Sequence, residues 1–134
     1  MRPRLRRPEF SIDGRPAEGR YLLGAACNTR HVGSGMCLAP GARLDDGLLD
    51  LVLIQHAFRP RLARLLTQVF SGAHAGSPLV EERRAARFEL ELGPDEELLL
   101  DGELYSTDRA RVDVLPAALE LLGGDPDPAG LGRA

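Results

Sequence analysis

The chain has 134 residues and a formal net charge of −3 at pH 7, enough for one domain with one core. So small a negative charge excludes a general electrostatic pull toward nucleic acid. No stretch reaches the roughly 18 apolar residues that a membrane-spanning helix needs.

All 17 basic residues are arginine, which weakens any single arginine as the mark of a phosphate site even though its guanidinium suits phosphate. Cys27 and Cys37 lack zinc-ligand spacing, and no Cys/His cluster completes a site. They read as two small core hydrophobes in a reducing compartment. The N-terminus is basic but no apolar segment follows it, so a secretory signal is not expected and a cytoplasmic location is.

Residues 1–8 hold Arg2, Arg4, Arg6 and Arg7 with two prolines and read as a basic arm, either solvated or in contact with anionic lipid. Phe10 to Gly14 alternates apolar and polar and stops at Asp13-Gly14, a hairpin signal. Tyr21 to Cys27 is the next strand, and its small residues would let another layer pack closely. Gly33-Ser34-Gly35 permits close backbone approach, but it lacks the helix and lysine of a nucleotide loop. Asp45-Asp46-Gly47 then turns the chain directly into Leu48–Ile54. That nearly unbroken apolar run predicts a strand buried on both faces.

A helix follows, with Pro60 in its first turn and Ser71-Gly72 at its end. Phe58, Leu62, Leu65, Leu66, Val69 and Phe70 recur at helical spacing, and Arg59, Arg61 and Arg64 occupy the other face. It reads as a helix lying on a sheet, with an independent lipid-binding helix as the alternative. Residues 72–78 read as a loop in which His74 is solvated. Ala86–Leu92 alternates with period two, and Glu97–Tyr105 reads as two strands broken at Asp101-Gly102. Arg109–Leu115 alternates again. Pro116–Leu122 fits a helix by propensity, with proline first. Residues 123–134, rich in Gly, Pro and Asp, read as a disordered tail. About seven strands and one helix, mostly in meander order, predict a mainly β (α+β) fold: an antiparallel β-sandwich or barrel-like domain with one amphipathic helix packed on it.

Two acidic clusters carry candidate chemistry. Asp101 and Glu103 flank a glycine. On a regular strand, positions two apart share a face, so both carboxylates could aim into one cleft. Close carboxylates repel, which raises the proton affinity of one of them, as a base working near neutral pH requires. The plainer alternative is an Asp-Gly hairpin turn with Glu103 as a solvated neighbour. The second cluster, Arg43-Leu44-Asp45-Asp46-Gly47-Leu48, offers carboxylate and carbonyl oxygens to a hard cation. It can equally be a turn whose carboxylates bond their own backbone.

Gly33 to Met36, Ala39-Pro40 and Leu44 to Asp50, followed by Leu100 to Glu103 and Val114 to Leu119, match an ordered set of motifs. In these motifs the chain resembles the C-terminal domain of the diacylglycerol kinase-like lipid kinases, a group that includes the sphingosine kinases. The resemblance covers roughly residues 20 to 122. It implies that an acidic residue of the second motif is the proton acceptor, Glu103 first and Asp101 second. It also implies a structural magnesium at the Asp-Asp-Gly turn, held by Asp46 and the carbonyls of Arg43 and Leu48, with Asp45 more exposed. His74 is a further candidate, because similar kinases often carry a histidine near this position. For Pro116–Leu122 the resemblance favours a turn and a final strand over a helix.

The family's nucleotide-binding domain, with its Gly-Gly-Asp-Gly-Thr motif, has no counterpart here. The resemblance therefore implies a lipid-kinase C-terminal domain over residues 9–122, incomplete at its N-terminal side. ATP with magnesium would enter only through the missing domain, supplied in trans, and no activity is expected from the chain alone. The implied substrate is a lipid alcohol, met by peripheral contact with the inner membrane face, and a homodimer stays open. The competing expectation is a non-catalytic β-domain, derived from such a kinase, that binds apolar ligands or self-associates.

Overall fold

A computed structural model of the protein describes residues 9–17, 19, 21–93 and 96–120. The basic arm at residues 1–8 and the tail at residues 123–134 lie outside the described residues. The strands are β1 (Glu9–Ile12), β2 (Arg15–Pro16), β3 (Tyr21–Cys27), β4 (Leu49–Gln55), β5 (Val80–Ala85), β6 (Arg87–Glu91), β7 (Leu98–Leu100), β8 (Glu103–Tyr105) and β9 (Arg109–Asp113). Helix α1 spans Arg59–Val69, and a short 3-10 turn follows at Ala73–Gly76. Every strand pairing is antiparallel.

The strands form a four-stranded sheet in the order β2-β1-β6-β9, a three-stranded sheet β3-β4-β5 and a two-stranded sheet β7-β8. The fold is thus the expected antiparallel one with one helix, in its sandwich form: the sheets are not closed into a barrel. Phe10, Ile12, Phe88 and Leu90 from the first sheet meet Tyr21, Leu49, Leu51, Leu53 and Ala85 from the second in one buried cluster. Phe10 stacks on Phe88 with ring centroids 5.6 Å apart, and meets Tyr21 edge-on at 5.7 Å. A Cβ on Gly24 would lie 2.8 Å from the Phe10 ring, so β3 needs a glycine there for this packing.

Strand β4 is buried on both faces, as its apolar run predicts. Leu49, Leu51 and Leu53 enter the main cluster, while Val52 joins Cys27, Ala39 and Ala42 in a second cluster on the opposite face. Each side chain of Leu or Val buried in this way stabilises the fold by roughly 1.5–3 kcal/mol. The sheet would be left bare on its second face without the segment around Ala39 and Ala42, so the glycine-rich turn leads into a lid on the core.

The structure adds one strand and corrects two expectations, one of them in part. Strand β5, Val-Glu-Glu-Arg-Arg-Ala, does not stand out in the sequence because its charges mask any apolar alternation. It is recruited by six register pairs with β4, and its charges lie at the sheet edge. His74 is fully buried rather than solvated. The turn expected at Pro116 is present, closed by Ala118 N–H donating to the Leu115 carbonyl at 3.3 Å, but no strand begins by Glu120. A strand requires a partner edge, and the described part of this segment pairs with none; Leu121 and Leu122 lie outside the described residues.

Tyr21 ties β3 to β5: its hydroxyl donates to Glu81 at 2.6 Å. Burial, reinforced by the Glu81 hydrogen bond and charge, pushes the phenol from its ordinary value of 10.0 up to about 12. The phenol is held in its protonated form by folding, so its contribution is complete below pH 10 and is lost as pH rises through about 12. Tyr21→Phe is expected to cost about 0.5–1.5 kcal/mol at neutral pH. Urea melts of both proteins at rising alkaline pH check this, and the gap between them should close toward the upper end.

Candidate active site

Leu100 pairs with Glu103, so the β7–β8 hairpin is closed by the two residues Asp101 and Gly102. Their φ angles are +48° and +91°, the left-handed geometry that a tight two-residue hairpin requires. Asp13 and Gly14 make the same kind of turn between β1 and β2, with φ of +48° and +77°. The expectation that Asp101 and Glu103 share the face of one regular strand is therefore corrected. Asp101 sits on the turn itself and Glu103 opens the return strand. Both are exposed at the tip. The Tyr105 hydroxyl, two residues along the same strand, donates to Glu103 Oε2 at 3.0 Å. That bond holds the carboxylate at one orientation, and the sequence pattern did not indicate it. A Glu-x-Tyr spacing on a strand is the signal that would have found it.

At the second cluster, the two aspartates divide their work. Asp45 is exposed and its Oδ1 lies 3.3 Å from Arg43 Nε. That hydrogen bond and the arginine charge lower the Asp45 carboxyl below its usual range. Asp46 points inward. Its Oδ1 accepts from the Leu48 N–H at 3.0 Å, and its Oδ2 is buried with no hydrogen-bond partner. A buried carboxylate oxygen without a donor is costly unless a cation faces it. The donor set thus suits a hard cation held by one carboxylate and neighbouring main-chain carbonyls. Among the described residues no three His, Cys, Asp or Glu side chains cluster as metal ligands, so carbonyls would have to complete the shell.

The surrounding loops fix this turn. Gly47 has φ +70°, and a Cβ there would come within 3.4 Å of Pro116 Cγ. The turn of the first motif therefore packs against the proline of the second. Val32 and Met36 exchange backbone hydrogen bonds across Gly33-Ser34-Gly35, so the glycine-rich segment is a tight hairpin rather than an open phosphate cradle. His74 Nε2 donates to the Leu38 carbonyl at 2.8 Å, and a Cβ on Gly72 would meet Cys37 Sγ at 3.3 Å. The buried histidine thus pins the segment between the glycine turn and Pro40. Asp50, in β4, holds Arg84 Nε at 3.1 Å, and Arg84 also reaches the Gly41 carbonyl. Among the described residues no hydrogen bond or ion pair joins the Asp101–Glu103 hairpin to the Asp46 turn.

The family model described as the YegS C-terminal NAD kinase beta sandwich-like domain matches residues 4–123. The diacylglycerol kinase of Mycobacterium tuberculosis (strain ATCC 25618 / H37Rv) is 36% identical over 95 residues, covering 71% of this chain and 30% of the relative. The "Probable lipid kinase YegS-like" of Shewanella frigidimarina is 31% identical over 104 residues, covering 78% and 33%. Among solved structures, "A putative diacylglycerol kinase from Bacillus anthracis str. Sterne" superposes with a TM-score of 0.62 at 20% identity. It covers 81% of this chain and 36% of that one, a likeness of fold. The chain spans about a third of the length of the curated relatives it matches. No helix among the described residues is long and apolar enough to cross a membrane.

Proposed function

Since the chain belongs to the YegS C-terminal domain family of the lipid kinases, we propose that it is the substrate-side domain of a phosphotransferase acting on a lipid alcohol. The observation that carries this reading is a pair of carboxylates at an exposed hairpin tip, with Glu103 oriented by Tyr105. Glu103 takes the proton of the lipid hydroxyl as the new oxygen–phosphorus bond forms and the bond to the leaving nucleotide breaks. Asp101 is the second carboxylate of the pair. ATP and its magnesium come with a nucleotide-binding domain.

Asp46, with the carbonyls of Arg43 and Leu48, would hold a structural magnesium. Bound there, the ion supplies a fixed positive charge that would tie the turn to the start of β4. Magnesium is accordingly expected to raise the melting temperature of the native chain. Asp46→Asn should remove that response, because the amide keeps an acceptor for the Leu48 N–H but loses the charge. A thermal melt with and without magnesium or a chelator checks it. A native response of about 1–2 kcal/mol corresponds to magnesium at roughly four to thirty times its dissociation constant.

The test of function is transfer of labelled γ-phosphate to a panel of lipid alcohols. The chain is assayed alone and mixed with the nucleotide-binding domain of a relative. Transfer only in the mixture supports the reading. A second reading, a β-domain that binds apolar ligands or self-associates, is favoured by Leu99 and Leu104, which face each other across the hairpin and are exposed. No transfer in any mixture, from a folded chain, moves the conclusion there.

A further inference from the structure

Between Asp50 and Glu81 the chain has no Asp or Glu, and this stretch includes all of α1. Arg59, Arg61 and Arg64 lie in it and join no ion pair among the described residues. Arg59 and Arg61 stand in the first turn of the helix, which has no acidic residue and no side-chain cap. The helix dipole disfavours cations there, and Arg61 and Arg64, three positions apart, repel each other. Among the described residues no carboxylate pairs with them to offset either cost.

Arg61, Arg64 and Gln68 recur at i, i+3 and i+7 and share one side of α1, with Leu65 beside them. That side borders a groove of about 510 Å³, which Ser77 and Leu79 line from the segment after the 3-10 turn. Such a volume suits a small molecule. Leu65, buried, and Leu79, half-buried, give the groove an apolar surface. Its polar side chains are Arg61, Arg64, Gln68 and Ser77, so all can donate and none is a carboxylate. Ser77 Oγ accepts from the Leu79 N–H at 3.3 Å, which leaves its own hydroxyl proton to donate. A ligand that fits must offer negative charge, several acceptor oxygens and an apolar part. A phosphate monoester carries close to two negative charges near neutral pH and three acceptor oxygens. Guanidinium groups bind phosphate through paired hydrogen bonds.

We propose that this groove binds an amphiphilic phosphate monoester, with its headgroup against Arg61 and Arg64 and its apolar chain along Leu65 and Leu79. Charge and lining together commit the groove to this occupant. A bare anion leaves the apolar surface unused, and a neutral amphiphile leaves both arginines unpaired. A phosphorylated lipid alcohol belongs to this class, but the inference rests on the groove and not on the reaction proposed above.

The test is calorimetric titration of the full chain with octyl phosphate below its micelle concentration. Inorganic phosphate supplies the headgroup alone, and octyl glucoside supplies the chain with a neutral headgroup. No nucleotide is present, so the outcome is independent of phosphoryl transfer. Octyl phosphate is expected to bind roughly tenfold or more tightly than either of the others. Arg61→Gln and Arg64→Gln should each weaken its binding roughly five- to tenfold. Arg59→Gln removes the same charge from outside the groove and should weaken it less than about twofold. All three arginines are exposed, so the variants should keep the native circular dichroism spectrum. No binding of octyl phosphate overturns the proposal. So does equal binding of inorganic phosphate, which leaves a bare-anion site, or of octyl glucoside, which leaves an apolar one. An equal loss in all three variants means diffuse charge and overturns it as well. Self-association in sedimentation velocity that Arg64→Gln abolishes assigns the groove to a second copy and likewise overturns it.

Discussion

Glu103→Gln is expected to lower phosphoryl transfer by roughly 10²–10⁴-fold, the usual worth of a positioned general base. The measurement is initial-rate transfer to a lipid alcohol by this chain mixed with a nucleotide-binding domain. Glutamine keeps the length of the side chain and can still accept from the Tyr105 hydroxyl, so the orientation seen at 3.0 Å survives. What it lacks is a carboxylate that can take the proton. Because Glu103 is exposed, the change in stability should stay within about 0.5 kcal/mol, and lost activity cannot be laid to lost folding. Asp101→Asn is the companion variant. Asparagine tolerates the left-handed backbone that Asp101 adopts, so its effect also reports on the charge. If Asp101→Asn removes more activity than Glu103→Gln, the roles of the two carboxylates are exchanged. If neither variant changes a measurable rate, the hairpin is a solvated turn and the base lies elsewhere.

Leu51→Ala is expected to destabilise the domain by about 2–5 kcal/mol, a large part of the roughly 5–15 kcal/mol that holds a domain of this kind together. Leu51 has no exposed surface, and it lies in the middle of β4, between β3 and β5, facing the Phe10 and Phe88 layer. Truncation leaves a void between two sheets that cannot collapse without breaking their register. The same strand runs straight out of the Asp45-Asp46-Gly47 turn, so the melt in urea should be accompanied by a weaker response to magnesium. Leu66→Ala, on the exposed flank of α1, is the reference and should shift the urea midpoint little. A Leu51→Ala midpoint as close to native as that of Leu66→Ala would mean that β4 is not the core strand.

The amino-acid sequence by itself determined the elements whose signals are local. Asp-Gly at residues 13–14 and 101–102 dictates tight turns, because the backbone there must adopt positive φ. Period-two alternation fixes the inward faces of β6 and β9, and the apolar run from Leu48 requires a strand covered on both sides. The motif order was also enough to indicate the lipid-kinase family. Tertiary structure decided what depends on a neighbour distant in the chain. Strand β5 exists because β4 offers it a hydrogen-bonding edge, despite four charged residues in six. His74 is buried because its imidazole satisfies the Leu38 carbonyl, 36 residues away. The expected turn at Pro116 packs against Gly47, and no strand follows it as far as Glu120. Asp46 differs from Asp45 only in the direction each carboxylate points, one toward buried backbone and one toward Arg43. Local pattern encodes backbone geometry and apolar period, while the partners of buried polar atoms are set only when distant segments close around them.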